Sequence, residues 1–381
     1  MRCSPESPIA AVAAVLALGV LAGCTSGGSE TDRSDVEAYQ KSLDRTMEDL
    51  LVEAERGDVS AQMELATRYY EGRFVEQDHE AAAKWYGAAA ERGIAEAYYS
   101  LGVMYEKGQG LVQDDRAAAK AYEIAAEAGV AQAENNLGFL YLEGRGVDQD
   151  DRKAFEWFDR AARHGVAASQ FVVGEMIAEG RVGEPDPGKA AQWYRLAADQ
   201  GFGMAQEELG RKYASGDGVD KDLAVAAQWL ERAAVQGIAS AQGQLGVLLA
   251  RGGPGLERDA TQAAEWLRLA AEAGEPSAQS NLGLLYLRGN GVDKDDAAAA
   301  GWFARAAEQG MASAQFRLAT MYEYGRGVEK DLVRALTWFE LASRAGARGA
   351  REEVEAIGLQ LGESDRQRAL AAANSWKPTA E

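Results

Sequence analysis

The sequence predicts an all-α solenoid built from tandem pairs of helices. The first observation behind this prediction is a glycine that recurs every 36 residues, with a single spacing of 37. The second is that apolar and small residues follow helical spacing twice within each unit, and the third is a helix-breaking glycine between the two stretches. Similarity at a fixed period is the signature of a repeat architecture. The opening glycines are Gly57, Gly93, Gly129, Gly165, Gly201, Gly237, Gly274 and Gly310.

The first predicted helix of each unit, helix A, carries an apolar stripe at offsets 4, 8 and 12 from the opening glycine. In the third unit these offsets hold Ala133, Leu137 and Tyr141, and Gly138 follows the leucine. Such offsets share one face of a helix, and the glycine allows close approach of a neighbouring helix. Helix A should end at a left-handed glycine. These glycines are Gly72, Gly108, Gly144, Gly180, Gly216, Gly252, Gly289 and Gly325.

The second predicted helix, helix B, follows an aspartate at the position where an N-cap is wanted. It then carries a small residue, a tryptophan and two more small residues, as in Ala154, Trp157, Ala161 and Ala162. Tryptophan recurs in seven of the eight units, so we expect its ring to face the small residues of helix A. The aspartates are Asp78, Asp114, Asp150, Asp186, Asp222, Asp259, Asp295 and Asp331.

This combined pattern resembles the Sel1-like repeat of the tetratricopeptide superfamily over residues 57–345. The resemblance implies a right-handed superhelix of antiparallel helix pairs, in which the helix A faces line a concave groove. The fourth repeat departs from the pattern with Ile177 in place of tyrosine. The sixth has Leu249 there and an inserted residue near Pro254, so we expect a local change of curvature at both.

Both ends of the repeat array should be capped, because the outer face of a terminal repeat has no neighbour to cover it. An amphipathic pattern predicts an N-terminal capping helix within residues 36–56. Residues 346–381 should form C-terminal capping helices, the last with Ala369, Ala372 and Trp376 facing inward.

The first residues have the organisation of a bacterial secretion signal, with an apolar run that is too short to span a membrane as a helix. Residues 1–23 are therefore expected to be removed, and the sequence Leu-Ala-Gly-Cys ending at Cys24 resembles a lipobox. The resemblance implies a diacylglycerol on the thiol of Cys24, with acyl chains such as palmitate, and residues 24–35 then form the lipidated cysteine and a flexible tether. An ordinary signal peptide with a chance cysteine, or cleavage elsewhere, remains the alternative.

The expected location is the cell envelope. Thr25 follows the cysteine in place of aspartate, which implies the periplasmic face of the outer membrane in a two-membrane bacterium. In a one-membrane bacterium the same anchor implies the outer face of the plasma membrane.

Composition argues against several kinds of site. The net charge of −20 disfavours nucleic acid and anionic lipid surfaces as electrostatic partners. Cys3 and Cys24 leave no thiol in the body for a disulfide or zinc site. His79 and His164 form no catalytic pattern, and the acidic clusters at 148–151 and 293–296 lack the distal glutamate of a calcium loop. We therefore expect no cofactor, no metal and no enzymatic activity.

The remaining candidate is the groove, which we expect to bind protein partners of the cell envelope. This makes the chain a membrane-anchored, non-catalytic scaffold or adaptor. The alternatives are an inhibitor or regulator of a single envelope enzyme, or a cell-wall hydrolase that uses paired carboxylates. The candidate groove residues, taken from the non-core positions of helix A, are Tyr70, Tyr99, Asn135, Asn136, Phe139, Arg211, Lys212, Asn281 and Tyr324.

Overall fold

The computed structural model describes residues 46–379. The expected signal peptide, Cys24, the tether and the first part of the N-terminal capping helix lie outside this range. Nineteen helices and no strand occupy the described range, which confirms an all-α helical repeat solenoid. The chain divides into two compact units, one ending at Gln200 and the other beginning at Gly201.

The first unit holds helices α1 to α9, where even numbers from α2 are helix A of a repeat and odd numbers from α3 are helix B. The described part of the N-terminal capping helix is α1. The helices are α1 Met47–Glu55, α2 Val59–Glu71, α3 His79–Ala90, α4 Ala95–Lys107, α5 Asp115–Glu127, α6 Ala131–Glu143, α7 Asp151–Arg163, α8 Ala167–Ala178 and α9 Pro187–Asp199.

The second unit continues the alternation as far as α17, and two further helices follow. The helices are α10 Gly203–Ser215, α11 Leu223–Val235, α12 Ala239–Arg251, α13 Ala260–Glu272, α14 Pro276–Arg288, α15 Asp296–Glu308, α16 Ala312–Tyr324, α17 Leu332–Arg344, α18 Ala350–Gln360 and α19 Glu363–Ser375. No helix within residues 46–379 is long and apolar enough to cross a membrane.

The predicted N-cap aspartates are confirmed in all eight repeats, each accepting a backbone hydrogen bond in the first turn of helix B. The acidic residue that follows the cap forms an ion pair with an arginine of the next repeat in three cases. These pairs are Asp115 with Arg145 at 2.9 Å, Asp151 with Arg181 at 2.8 Å and Asp296 with Arg326 at 2.8 Å. The acidic clusters thus begin helices and join successive repeats.

The predicted C-cap glycines adopt the left-handed conformation directly after helix A in six repeats. In the fourth repeat α8 ends one residue earlier at the cap residue Glu179, although Gly180 still has φ of +68°. In the sixth, Gly252 combines φ of +63° with ψ of −168°. The inserted residue in that loop accounts for the difference, because Gly253 and Leu256 form a short antiparallel bridge there.

The side chain that faces the glycine of helix A belongs to the residue after the tryptophan position, which corrects the sequence-based expectation. It is an aromatic ring in four of the six pairs below and a leucine in the other two. Most of the tryptophans are half-buried, whereas the following residue is buried in every repeat. Three of the tryptophans lie beside arginines instead, with Arg160, Arg232 and Arg305 at 4.5, 4.4 and 4.6 Å from the ring centres. The facing pairs are Tyr122 on Gly102, Phe158 on Gly138, Tyr194 on Gly174, Leu230 on Gly210, Leu267 on Gly246 and Phe303 on Gly283.

A buried glutamine joins helix A to the preceding helix in five repeats. Its amide donates to a backbone carbonyl eight residues earlier, at the end of that helix, over 3.0 to 3.2 Å. The third repeat has Glu134 at this position, and Arg160 makes the bond to the carbonyl of Ala126 instead, at 2.8 Å. The glutamines are Gln62, Gln170, Gln242, Gln279 and Gln315.

The last helix packs through Ala369 and Ala373, which are both buried. Ala372 is exposed, so the expectation that it faces inward was wrong. Inward positions on α19 follow a four-residue step from Ala369, because residues four apart share one helix face. Trp376 packs edge-on against Trp338, with ring centres 6.3 Å apart.

Candidate partner-binding site

Two of the expected groove residues in the first unit are buried and take part in packing. Asn135 is 5% exposed, and its side-chain oxygen accepts a 2.8 Å hydrogen bond from the Ser169 hydroxyl. Phe139 is 8% exposed and meets Phe158 edge-on at 4.8 Å. Their burial leaves almost no surface for a partner, so we remove both from the candidate site. Asn136 is half-buried and accepts a 3.1 Å bond from Asn135.

The two candidate tyrosines of the first unit are half-buried on helix A. The Tyr70 hydroxyl donates to the Gln109 side chain at 2.8 Å, and its ring stacks on His79. The Tyr99 ring tilts against that of Tyr122, with centres 5.9 Å apart. Burial raises the pKa of Tyr70 and of Tyr99, so both hydroxyls remain protonated donors at neutral pH.

A compensated polar network lies beside these tyrosines. The buried Tyr122 donates a 2.7 Å hydrogen bond to Glu106, and Arg145 binds Glu106 and Asp115, each at 2.9 Å. The carboxylates here already have donors and the guanidinium already has acceptors. In the first unit, therefore, much of the polar surface of helix A is occupied by contacts within the protein.

In the second unit, the expected basic residues are paired locally. Arg211 lies 2.9 Å from Glu208, and Lys212 lies 2.6 Å from Asp217. Tyr324 is 69% exposed, and a hydrogen bond with Glu323 raises its pKa. Tyr324 and Asn281 are thus the candidates of this unit that no ion pair occupies.

Asn281 lines a cleft on the helix A face of the second unit, formed chiefly by α12 and α14. The cleft has a volume of about 400 Å³, which lies in the range of ligand sites. Its apolar wall includes Leu230, Val247 and Leu248. Its polar groups include Gln244, Arg251, Ser277 and Asn281. A mostly apolar wall with a few polar groups suits a segment of another protein that inserts an apolar side chain.

The cleft arises from small residues at positions that are larger in other repeats. Leu230 stands where the first four repeats place an aromatic ring, and Gly243 has no side chain to fill the space. At the rim, Glu275 accepts backbone hydrogen bonds from Ser277 and Ala278 and so caps α14. The site is therefore built into the ends and faces of regular helices and does not depend on a loop.

Glu207 lies next to this face and binds Gln244, whose amide donates to the Glu207 carboxylate at 2.6 Å. Burial raises the pKa of Glu207, and hydrogen bonds from Ser240 and Gln244 oppose that shift. Gln244 is thereby fixed in orientation at the cleft wall.

Arg251 and Asn281 are polar side chains of the cleft that have no partner within the described part of the protein. Neither the Arg251 guanidinium nor the Asn281 amide has a hydrogen-bond or ion-pair partner among residues 46–379. Sequence reasoning included Asn281 but did not single out Arg251, Gln244 or Ser277. Their positions in the repeat could have indicated two of them. Gln244 has the same offset of 7 from its opening glycine as Asn281, and Arg251 has the same offset of 14 as Tyr324.

The arrangement offers hydrogen bonds and apolar contact. Across the described residues, no group of three or more His, Cys, Asp or Glu side chains is placed to hold a metal ion. Both histidines make contacts within the protein. The His79 ring stacks on Tyr70, and His164 Nδ1 lies 2.8 Å from the Glu134 carboxylate.

Comparison with known sequences identifies the repeats. A sequence description of the Sel1 repeat matches residues 59–94, 95–130, 131–166, 167–202, 203–238, 239–275, 276–311 and 312–346. These bounds begin two residues after the opening glycine of each unit. No curated protein matches the chain.

Two solved structures resemble the chain along most of its length. One is a protective antigen of uropathogenic Escherichia coli strains that displays an SLR fold, with 35% identity and a TM-score of 0.79. The similarity covers 87% of this chain and 71% of that one. The other is a Sel1 repeat protein from Oxalobacter formigenes, with 30% identity, a TM-score of 0.61 and coverage of 90% and 99% respectively.

Proposed function

The chain belongs to the Sel1 repeat family, whose members are generally protein-interaction scaffolds, and from that premise we propose that it binds a protein partner through the cleft between α12 and α14. The observation that carries the proposal is the pair Arg251 and Asn281, which line an apolar cleft without partners of their own. Arg251 is exposed and Asn281 is half-buried, so both side chains are accessible from solvent and could form hydrogen bonds with a bound peptide.

The chemistry of the cleft suits an extended peptide. An amide such as Asn281 offers both a donor and an acceptor, which matches the backbone groups of a peptide. An apolar anchor side chain would lie against Leu230, Val247 and Leu248. Interface energy concentrates in anchors of this kind surrounded by polar groups. The activity proposed is therefore non-catalytic binding.

We further propose that the scaffold works in the cell envelope, attached to a membrane through lipid on Cys24. The support is in the sequence: a short apolar run, a lipobox-like Leu-Ala-Gly-Cys, and a small, polar stretch that begins at Thr25. Several acyl chains on one residue hold a protein on a membrane far more firmly than a single chain does. The partners would then be envelope proteins within reach of the tether.

The anchor is tested by Cys24→Ser, with Cys3→Ser as the matched control because Cys3 lies before the expected cleavage site. We expect Cys24→Ser to lose metabolic lipid labelling and to leave the membrane fraction, while Cys3→Ser keeps both. Membrane retention and labelling of Cys24→Ser would disprove the anchor without touching the binding proposal.

Partner binding is tested with the double variant Arg251→Ala and Asn281→Ala in the full-length chain. Proteins captured by in-cell crosslinking are quantified by mass spectrometry. We expect defined partners to fall by more than about tenfold, the effect of losing one or two central contacts. The control changes Gln262 and Arg268 to Ala on α13, a helix B of the same unit. Equal capture by both variants would contradict the proposed site.

A further inference from the structure

Two arginines lie on neighbouring helices A of the second unit without any acidic partner. Arg288 is the last residue of α14, and Arg317 lies in the first half of α16. In the preceding repeat pair these two offsets are occupied by Arg251 and Asn281, which line one cleft together. The same placement on adjacent helices brings Arg288 and Arg317 toward each other beside that cleft.

Arg317 is held in an environment that does not compensate its charge. Its Nε atom is buried without a hydrogen-bond partner, and its guanidinium stands 5.9 Å from the centre of the Phe303 ring. Burial and the nearby charge of Arg288 together lower the pKa of Arg317. A buried donor without an acceptor and a like charge nearby are both unfavourable, and an anion between the two groups would relieve both.

The acidic residue that begins the intervening helix B is engaged elsewhere. On this helix, Asp296 pairs with Arg326 at 2.8 Å. Among residues 46–379 neither Arg288 nor Arg317 forms an ion pair, although the whole chain has 60 acidic and 40 basic residues. Among the described residues other arginines also lack an ion pair, so this pair is distinguished by the buried Nε atom of Arg317 and by the proximity of the two charges.

We propose that Arg288 and Arg317 bind carboxylate side chains of an acidic segment in the protein partner, next to the part of that segment held in the cleft. This inference rests on the proposed function, and it adds the chemistry of the partner. Guanidinium groups form paired hydrogen bonds with carboxylates, which gives the site geometric selectivity as well as charge. The net charge of −20 disfavours acidic chains on the surface as a whole, so the two guanidinium groups would have to supply the local attraction.

The test measures fluorescence anisotropy of a labelled peptide of alternating Glu and Leu, with the full-length chain purified in detergent. We expect the wild-type protein to bind this peptide and not its Gln/Leu counterpart. The double variant Arg288→Gln and Arg317→Gln should bind more than about tenfold more weakly, and its affinity should depend less on salt. The control, Arg268→Gln with Arg348→Gln, makes the same charge change at positions on α13 and after α17.

Equal weakening in the control, or no difference between the two peptides, would overturn the inference. Binding of phosphatidylglycerol vesicles with no binding of the acidic peptide would also overturn it. Thermal unfolding of each variant shows whether a loss of binding reflects a loss of folding, and single substitutions replace the double variant if it unfolds. If defined partners are still captured in cells while the acidic peptide is ignored, this inference fails and the proposed function stands. If no defined partner is captured, the proposed function itself fails.

Discussion

The Phe158 ring lies directly against the Cα of Gly138. A methyl group added at Gly138 would stand 2.8 Å from the Phe158 Cδ1 atom, closer than carbon atoms pack. The same relationship joins the two helices of five other repeats. Glycine at this position therefore sets how closely helix A and helix B approach, and through them the spacing of the faces that form the candidate site.

Changing Gly138 to Ala should destabilise the protein by about 1–3 kcal/mol, because the added methyl forces the ring or a helix to shift. The measurement is the midpoint of urea unfolding followed by circular dichroism. Gly87→Ala is the control, since Gly87 lies within α3 and nothing within 4 Å would meet its methyl group. That variant should be stabilised by up to about 1 kcal/mol through helix propensity. A neutral Gly138→Ala would show that the contact does not limit packing.

The buried Glu134 connects two repeats through Arg160, at 2.9 Å, and His164, at 2.8 Å. We expect Glu134→Ala to lower the unfolding free energy by about 0.5–1.5 kcal/mol, because the contacts of the buried carboxylate are lost while the half-exposed Arg160 and His164 regain water. Glu156→Ala, at an exposed position of α7, should change it by less than about 0.5 kcal/mol. Equal effects of the two substitutions in urea unfolding would refute a structural role for the Glu134 contacts.

Glu207 gives a pH prediction. Burial raises its pKa in the folded protein, so the folded state binds more protons than the unfolded chain between the two pKa values. The contribution of Glu207 to stability therefore falls as pH rises through that window. Glu207→Gln removes this titration. The free energy of unfolding of the variant, minus that of the wild type, should therefore be larger at pH 7 than at about pH 4, near the ordinary glutamate pKa. The measurement is urea unfolding at the two pH values.

Glu265→Gln on the exposed side of α13 controls for the loss of one negative charge. The difference in unfolding free energy between Glu265→Gln and the wild type should be the same at both pH values. A stability difference for Glu207→Gln that is the same at both pH values would show that the Glu207 carboxyl is not desolvated in solution.

Asp295 begins α15 by accepting backbone hydrogen bonds from Ala297 and Ala298, each at 2.9 Å. Asp295→Ala should cost about 0.5–2 kcal/mol of stability, the usual effect of removing such a cap. Asp293→Ala, two residues earlier in the same loop, should be close to neutral because Asp293 is exposed and caps no helix. Comparable losses for the two aspartates would mean that charge, and not capping, accounts for the effect.

The local signals in the sequence predicted the fold well. Asp295 and its equivalents begin every helix B as expected, because capping depends on a few consecutive residues. The apolar stripe did not show which ring faces Gly138, since Trp157 and Phe158 are adjacent and both are large. Only the contact between helices decides between them. The handedness of the superhelix stays a prediction.

The candidate site was harder to predict because it depends on contacts between repeats. Asn135 and Phe139 lie outside the apolar stripe of helix A, but the neighbouring helices bury both side chains. Arg211 and Lys212 also lie outside the apolar stripe, but they form ion pairs with Glu208 and Asp217. The spacing of apolar residues carries no information about such pairs. Asn281 remained in the site because the smaller Leu230 and Gly243 leave space there.

The most direct test of partner binding places a photocrosslinking amino acid at Asn281 in living cells, with the same group at Glu265 as the control. Both positions lie in the second unit, but Glu265 is on the exposed side of a helix B. We predict that irradiation joins position 281 to one or two defined proteins that position 265 does not reach. The same products from both positions, or only diffuse products from position 281, would contradict a specific partner site in the cleft.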